Sequence, residues 1–203
     1  MTHAATLRLA VFPRTLVADV ALVAGGVLFV AAMAQIEIPL GFTPVPITGQ
    51  TFAVMVIGAS YGMARGGITL VAYLLAGMAL PFYSGGESGW DVATGATGGY
   101  LVGFICAAMV TGALAERGWD RRFSSATAAM LAGSLLIYVP GLLWLSYRLD
   151  WTGFERTLEL GFYPFVPGML VKLYLAAGLL PAAWELVRRL RGEDAPDALP
   201  GPR

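Results

Sequence analysis

Lys172 is the only lysine in the chain, and it lies inside the apolar stretch Val166 to Leu180. The other twelve of the thirteen basic residues are arginines at the ends of apolar stretches or between them. A charge inside a membrane span costs about 2.5–3.5 kcal/mol on insertion scales, so it needs a partner or a task. An ammonium there brings three N–H donors and a positive charge, which suits it to hold a ligand oxygen. The competing reading is a lysine that only snorkels to the interface. Groups for bond-making chemistry are scarce. The only histidine is His3, so a Ser–His pair within the apolar stretches is excluded. One cysteine, Cys106, permits no internal disulfide, and a site of clustered His and Cys is not expected. No Gly-Lys pair occurs, which removes the GxxxxGK[ST] phosphate loop.

These residues sit in a membrane protein. Of the 203 residues, 57% are hydrophobic and 13% charged, and the mean hydropathy is +0.70. Soluble domains carry about 25% charged residues. The first apolar run, about twenty residues long, exceeds the apolar core of a cleavable signal peptide. Nucleic acid is not an expected partner; the lipid bilayer is.

The expected fold class is an all-α six-transmembrane-helix bundle with both termini cytoplasmic. The spans are Leu16 to Ile36, Gln50 to Met63, Gly66 to Leu80, Thr94 to Ala115, Ser125 to Tyr147 and Val166 to Leu190. The second and third are too short to cross upright, so they should be extended by loop residues or lie inside the bundle. This divides the chain into a cytoplasmic N-terminal segment (1–15), a transmembrane domain (16–190) and a polar, Pro-rich tail (191–203) read as disordered. Orientation follows from arginine placement. With the N-terminus inside, Arg8, Arg14, Arg65, Arg117, Arg121, Arg122, Arg188, Arg189, Arg191 and Arg203 are cytoplasmic, ten of the thirteen basic residues. Lys172 then lies roughly 9 Å below the outer boundary, six residues into its helix at 1.5 Å per residue.

Other segments converge on that outer half. Pro39, Pro44 and Pro46 stiffen the loop between the first two spans, which is apolar apart from Thr43, Thr48 and the flanking Glu37 and Gln50. It reads as a lid, the alternative being a packing loop with nothing beneath it. After the third span, Tyr83 to Asp91 and Thr94 to Tyr100 are glycine-dense, with the hydroxyls of Ser84, Ser88, Thr94 and Thr97. Such glycines admit either a ligand or a close helix, and for Gly98 and Gly99 the two readings stand level. Pro140 should bend the fifth span and tilt Tyr138 or Trp144 inward. On the first span, Ala21 and Gly25 form a small-xxx-small pair that permits close approach of another helix.

Three strings resemble the BioY family, the biotin-specific membrane subunits of energy-coupling factor (ECF) vitamin importers. They are Ile38 to Thr51 (IPLGFTPVPITGQT), Gly95 to Phe104 (GATGGYLVGF) and Pro164 to Lys172 (PFVPGMLVK). They occur in family order, and the similarity runs from about Ala18 to Ala182. The resemblance implies uptake across the plasma membrane by a capture subunit that binds biotin beneath the loop between spans 1 and 2. Phe42, Tyr83, Trp90 and Tyr138 would form apolar walls. Gln50, Thr97 and Glu87 would meet the ureido group, and Lys172 a ligand oxygen. Thr43 and Tyr100 belong to the same expected set. Ala18, Ala21 and Gly25 would contact a transmembrane coupling protein whose two ATPases use the ATP, so no cofactor is expected in this chain. Whether the subunit works alone, as a homo-oligomer or only with that module stays open. One position departs from the family pattern, which is similar to P-G-D-x-x-K: Met169 stands where the aspartate is expected, one turn before Lys172. A related subunit for another vitamin is therefore the alternative reading, and an intramembrane enzyme a remote one.

Overall fold

Thr15 starts the first helix: its Oγ1 accepts the Ala18 N–H at 3.2 Å and satisfies one of the free donors of the first turn. The helix, α1, runs from Leu16 to Ala34. The computed structural model describes residues 6–7, 15–150 and 153–191. The expected tail at 192–203 and most of the N-terminal segment lie outside the described residues.

After α1 the chain forms a short antiparallel ladder, β1 (Glu37–Ile38) with β2 (Ile47–Thr48), registered Glu37 to Thr48 and Ile38 to Ile47. Helices α2 (Gln50–Tyr61) and α3 (Met63–Gly77) follow. They break at Gly62, where φ is +86°, a region that disfavours any side chain. The Met63 N–H at this break donates to Glu116 Oε1 at 2.9 Å. A single turn, α4 (Trp90–Ala93), precedes α5 (Gly98–Ala115) and α6 (Phe123–Arg148). The short α7 (Phe154–Gly161) leads into α8 (Val166–Leu190), with Pro167 in its first turn, where no donor is missed.

Every stretch expected to be a span is helical over most of its length, although the helices stop at Ala34 and Gly77 rather than Ile36 and Leu80, and α5 begins at Gly98 rather than Thr94. Four runs are long and apolar enough to cross a membrane by length and composition: Leu16–Ala34, Gly98–Ala115, Phe123–Arg148 and Phe154–Leu190. At 12 and 15 residues, α2 and α3 reach only about 18 and 22 Å. Helix α2 is enclosed, with Ala53, Val54, Met55, Ile57, Gly58 and Ala59 all buried. It packs against α1, α3, α5, α6 and α8. The short helix is thus covered by protein along most of its length, as its length predicts.

Small residues let α5 approach α6 closely. A Cβ at Gly103 would lie 2.7 Å from the Ile137 carbonyl oxygen, and one at Gly98 would lie 3.0 Å from the Trp144 indole nitrogen, both on α6, and 2.5 Å from the Ala93 carbonyl oxygen of α4. Gly99 abuts the Pro140 carbonyl and Trp144 in the same way. Gly98 and Gly99 are therefore packing glycines.

The arginine-bearing end is tied by polar contacts. Arg65 at the start of α3 grips Asp19 near the start of α1 with two bonds, 3.0 and 3.2 Å. Asp120, in the turn between α5 and α6, is 1% exposed. Its Oδ2 accepts the Trp184 indole N–H of α8, and its Oδ1 has no partner among the described residues. The Arg121 guanidinium sits 4.5 Å from the Trp184 ring centroid. Burial raises the Asp120 carboxyl above its ordinary value, against the opposing pull of Trp184 and Arg121. The raised value means that the folded state holds the neutral acid better than the unfolded chain does. Stability from this group is full below the ordinary value and is lost as pH rises through the folded one. Asp120→Asn removes the titration. Its melting temperature minus that of the native chain should grow as pH rises from 4 towards neutrality, and a flat difference would contradict this.

Candidate functional site

Opposite the arginine-bearing end lies a cavity of about 530 Å³, within the 300–1,000 Å³ range of small-molecule sites. The ladder β1–β2 and the Leu40–Val45 tip form its roof. Pro39, Leu40, Thr43, Pro44, Val45 and Pro46 all line it. Proline and the ladder stiffen this segment from two directions. The tip is pinned: Thr43 Oγ1 donates to the Leu160 carbonyl at 2.6 Å and accepts the Val45 N–H at 3.2 Å. Next to that anchor, the Tyr100 hydroxyl donates to the Gly161 carbonyl at 2.8 Å. Thr43→Val should loosen the tip by about 1 kcal/mol, the usual net worth of such a bond. Amide exchange over residues 40–46 should then rise about fivefold with little change in melting temperature. Unchanged exchange would mean that the prolines alone hold the tip.

The floor and walls come from five elements. The first turn of α2 supplies Gln50 and Thr51, and the chain after α3 supplies Tyr83 and Glu87. Thr97 precedes α5, which contributes Tyr100, Leu101 and Phe104; α6 contributes Ile137 and Tyr138, and α8 contributes Lys172. Tyr138 packs edge-on against Tyr100, with centroids 6.2 Å apart, and against Phe162 at 5.0 Å. Pro140 lies inside a continuous α6, and the two aromatics expected near it divide. Tyr138 reaches the cavity, while Trp144 donates to the Gly95 carbonyl at 2.8 Å.

The polar groups are concentrated at the α2–α8 corner. Lys172 Nζ donates to the Thr48 carbonyl at 2.9 Å, its one acceptor among the described residues. Glu37, Glu87 and Asp91 line the same cavity, yet none of them forms an ion pair with Lys172. Thr51 Oγ1 is buried and has no partner among the described residues. Gln50 Nε2 donates to the Tyr73 hydroxyl at 2.7 Å, and Thr48 Oγ1 donates to Gln50 Oε1 at 2.8 Å. The amide's second hydrogen has no acceptor among the described residues. The corner therefore presents unused donors from Lys172, Gln50 and Thr51 at a helix N-terminus, an arrangement that favours a ligand oxygen.

Of the residues expected from sequence, Thr43, Gln50, Tyr83, Glu87, Thr97, Tyr100, Tyr138 and Lys172 meet at this cavity. Phe42 and Trp90 are not part of its lining; they are 61% and 66% exposed. Thr51, outside the expected set, also lines the cavity, and its local signal is a hydroxyl in a helix's first turn beside Gln50. Tyr73, likewise outside that set, is buried behind the lining and bonded to Gln50, and its local signal is a phenol inside a short apolar helix, which needs a partner when buried. On α1, Ala21 and Gly25 are exposed and Ala18 is half-buried, so the small-residue face is uncovered.

A model of the BioY family matches residues 2–189. The chain belongs to the BioY family. Among its relatives is the biotin transporter BioY of Rhizobium etli, 38% identical over 148 residues, covering 69% of this chain and 78% of the relative. The biotin transporter BioY of Thermotoga maritima is 39% identical over 145 residues, covering 71% and 82%. These relatives are named as transporters, not enzymes. A crystal structure of the S-component for biotin from an ECF-type ABC transporter superposes with a TM-score of 0.70 at 26% identity, covering 88% of this chain and 93% of that one. In this family member Met169 is half-buried and packs against the main core. Lys172 thus lacks an acidic neighbour on its own helix.

Proposed function

We propose that this chain captures biotin at the outer face of the plasma membrane for uptake, and that the roofed cavity is where biotin sits. The observation that carries this reading is the donor corner of Lys172, Gln50 and Thr51 inside an otherwise largely apolar cavity. Biotin has an apolar bicycle, a four-methylene chain and an oxygen-bearing group at each end. A site for it needs apolar walls and a few placed polar groups. Tyr83, Tyr100, Tyr138 and Phe104 supply the walls, and the corner receives one ligand oxygen. Glu87 and Thr97, across the cavity, are suited to N–H donors. Phe42 and Trp90, exposed and next in sequence to the lining residues Thr43 and Asp91, are assigned to closure over the ligand.

The 16–190 segment crosses the membrane six times with both termini in the cytoplasm. Support comes from the arginines gathered at the end away from the cavity. The uncovered face of Ala18, Ala21 and Gly25 is assigned to the coupling protein of an ECF module whose ATPases supply the energy. The chain's lack of a phosphate-loop motif fits that division of labour. Equilibrium binding of labelled biotin to the purified chain in detergent tests the capture step. Saturable nanomolar binding, displaced by desthiobiotin and not by thiamine or riboflavin, is the expected result. Met169 favours a second reading, a related vitamin or biotin analogue as the ligand. Absent biotin binding that Met169→Asp restores would establish that reading instead.

A further inference from the structure

Tyr73 is 1% exposed, lies on α3 and does not line the cavity. Its hydroxyl nevertheless starts a hydrogen-bonded chain that ends at the cavity corner. The hydroxyl donates to the Phe82 carbonyl at 2.9 Å and is bonded to the Gln50 amide at 2.7 Å. A phenol has one hydrogen to give. The Phe82 carbonyl can only accept, so that hydrogen is committed to it. Gln50 must then turn its NH₂ end towards Tyr73, because Tyr73 has only lone pairs left to offer. The amide's Oε1 consequently faces Thr48 and takes the Thr48 hydroxyl hydrogen at 2.8 Å. Thr48 is also the residue whose carbonyl holds Lys172 at 2.9 Å. One backbone carbonyl on the chain after α3 thus sets the sense of every bond up to Thr48, where Lys172 is held.

We propose that Tyr73 is a positioning residue for ligand recognition, fixing which end of the Gln50 amide faces the ligand and bracing the Thr48 strand that holds Lys172. The proposal rests on the reading of the cavity as the biotin site. Without the hydroxyl, neither orientation of Gln50 is selected, since a phenylalanine ring neither gives nor takes a hydrogen. The amide would then populate both, and part of the population would turn its oxygen towards a ligand oxygen. Tyr73 has a second packing role, an edge-on contact with Tyr83 at 6.0 Å between centroids. The conservative change Tyr73→Phe keeps that ring in place.

A double-mutant cycle on the full chain in detergent separates positioning from packing. Labelled-biotin affinity is measured for the native chain, Tyr73→Phe, Gln50→Ala and the double variant, and the melting temperature of each is recorded without ligand. Tyr73→Phe should weaken binding about fivefold or more, the scale of one lost hydrogen bond. In the Gln50→Ala background the same change should alter affinity less than about twofold, because the group it acts through is gone. Equal losses in both backgrounds, or no loss in either, would overturn the proposal while leaving the biotin reading intact. A native chain that does not bind biotin would overturn both.

Discussion

Replacing Lys172 with alanine is expected to weaken biotin binding at least tenfold while leaving the fold intact. The ammonium is the one cation among the described residues that line the cavity, and it keeps two N–H donors beyond the one given to Thr48. A hydrogen bond from a charged group is worth about 1.5–3 kcal/mol, or roughly tenfold to more than a hundredfold in affinity. No acidic side chain among the described residues of the cavity forms an ion pair with it, so a ligand oxygen is the group best placed to do so. The change should not lower the melting temperature without ligand, because a half-buried charge is removed along with one bond to a backbone carbonyl. Lys172→Met, which keeps most of the unbranched stem and removes the charge, should behave like the alanine variant if charge is what matters. Equilibrium binding of labelled biotin decides the matter. An affinity within twofold of the native value would remove Lys172 from the site and return it to snorkelling.

The second large effect is one of stability, and it lies in the cavity wall, between the lining residues Leu101, Phe104 and Ile137. Gly103→Val would set a Cβ 2.7 Å from the Ile137 carbonyl oxygen and 2.8 Å from the Ile137 Cα. Both are backbone atoms of α6, so no side-chain rotation relieves the clash. Forcing extra bulk into a packed interface costs about 1–3 kcal/mol, occasionally more, and here two helices must separate to admit it. The melting temperature in detergent should fall by roughly 6–12 °C, taking a loss near 3 kcal/mol and the usual size scaling. Binding should fall too, because Tyr100 sits one turn before Gly103 and Tyr138 directly follows Ile137, and both line the cavity. Gly25→Val is the control, since a Cβ at Gly25 meets nothing within 4 Å; it should leave the melting temperature of the isolated chain nearly unchanged. Equal melting temperatures for the Gly103 and Gly25 variants would show that α5 and α6 are not locked by close approach.

The helices were legible in the sequence because their signals are local. A lipid-facing or enclosed helix reads as an apolar run whatever it packs against. The strings around Thr43, Thr97 and Lys172 identified the family. Five of the eight expected residues that line the cavity lie in those strings, Thr43, Gln50, Thr97, Tyr100 and Lys172, and the other three, Tyr83, Glu87 and Tyr138, come from the glycine-dense connection and the fifth span. Contact partners are a different matter. Nothing local marks Lys172 as the donor to the carbonyl of Thr48, which is 124 residues away. The Pro-rich loop was expected to be extended, and its pairing of Glu37 with Thr48 depends on where α1 and α2 place its ends. From sequence, Gly98 and Gly99 stand level between ligand contact and packing; Trp144 and Pro140 of α6 lie against them in the fold, and a glycine's purpose is set by what approaches it. Tyr73 shows the limit most clearly. Its residue type announced only that a buried phenol needs partners. That those partners are the Phe82 carbonyl and the Gln50 amide, in one fixed sense, is a property of three segments meeting in space. Residue types, apolar run lengths and the three strings by themselves pointed to the family, the helices and eight residues that line the cavity. Tertiary structure decided the direction of the hydrogen bonds and what anchors the loop, Leu160 to Thr43 and Lys172 to Thr48, because both arise between segments far apart in the chain.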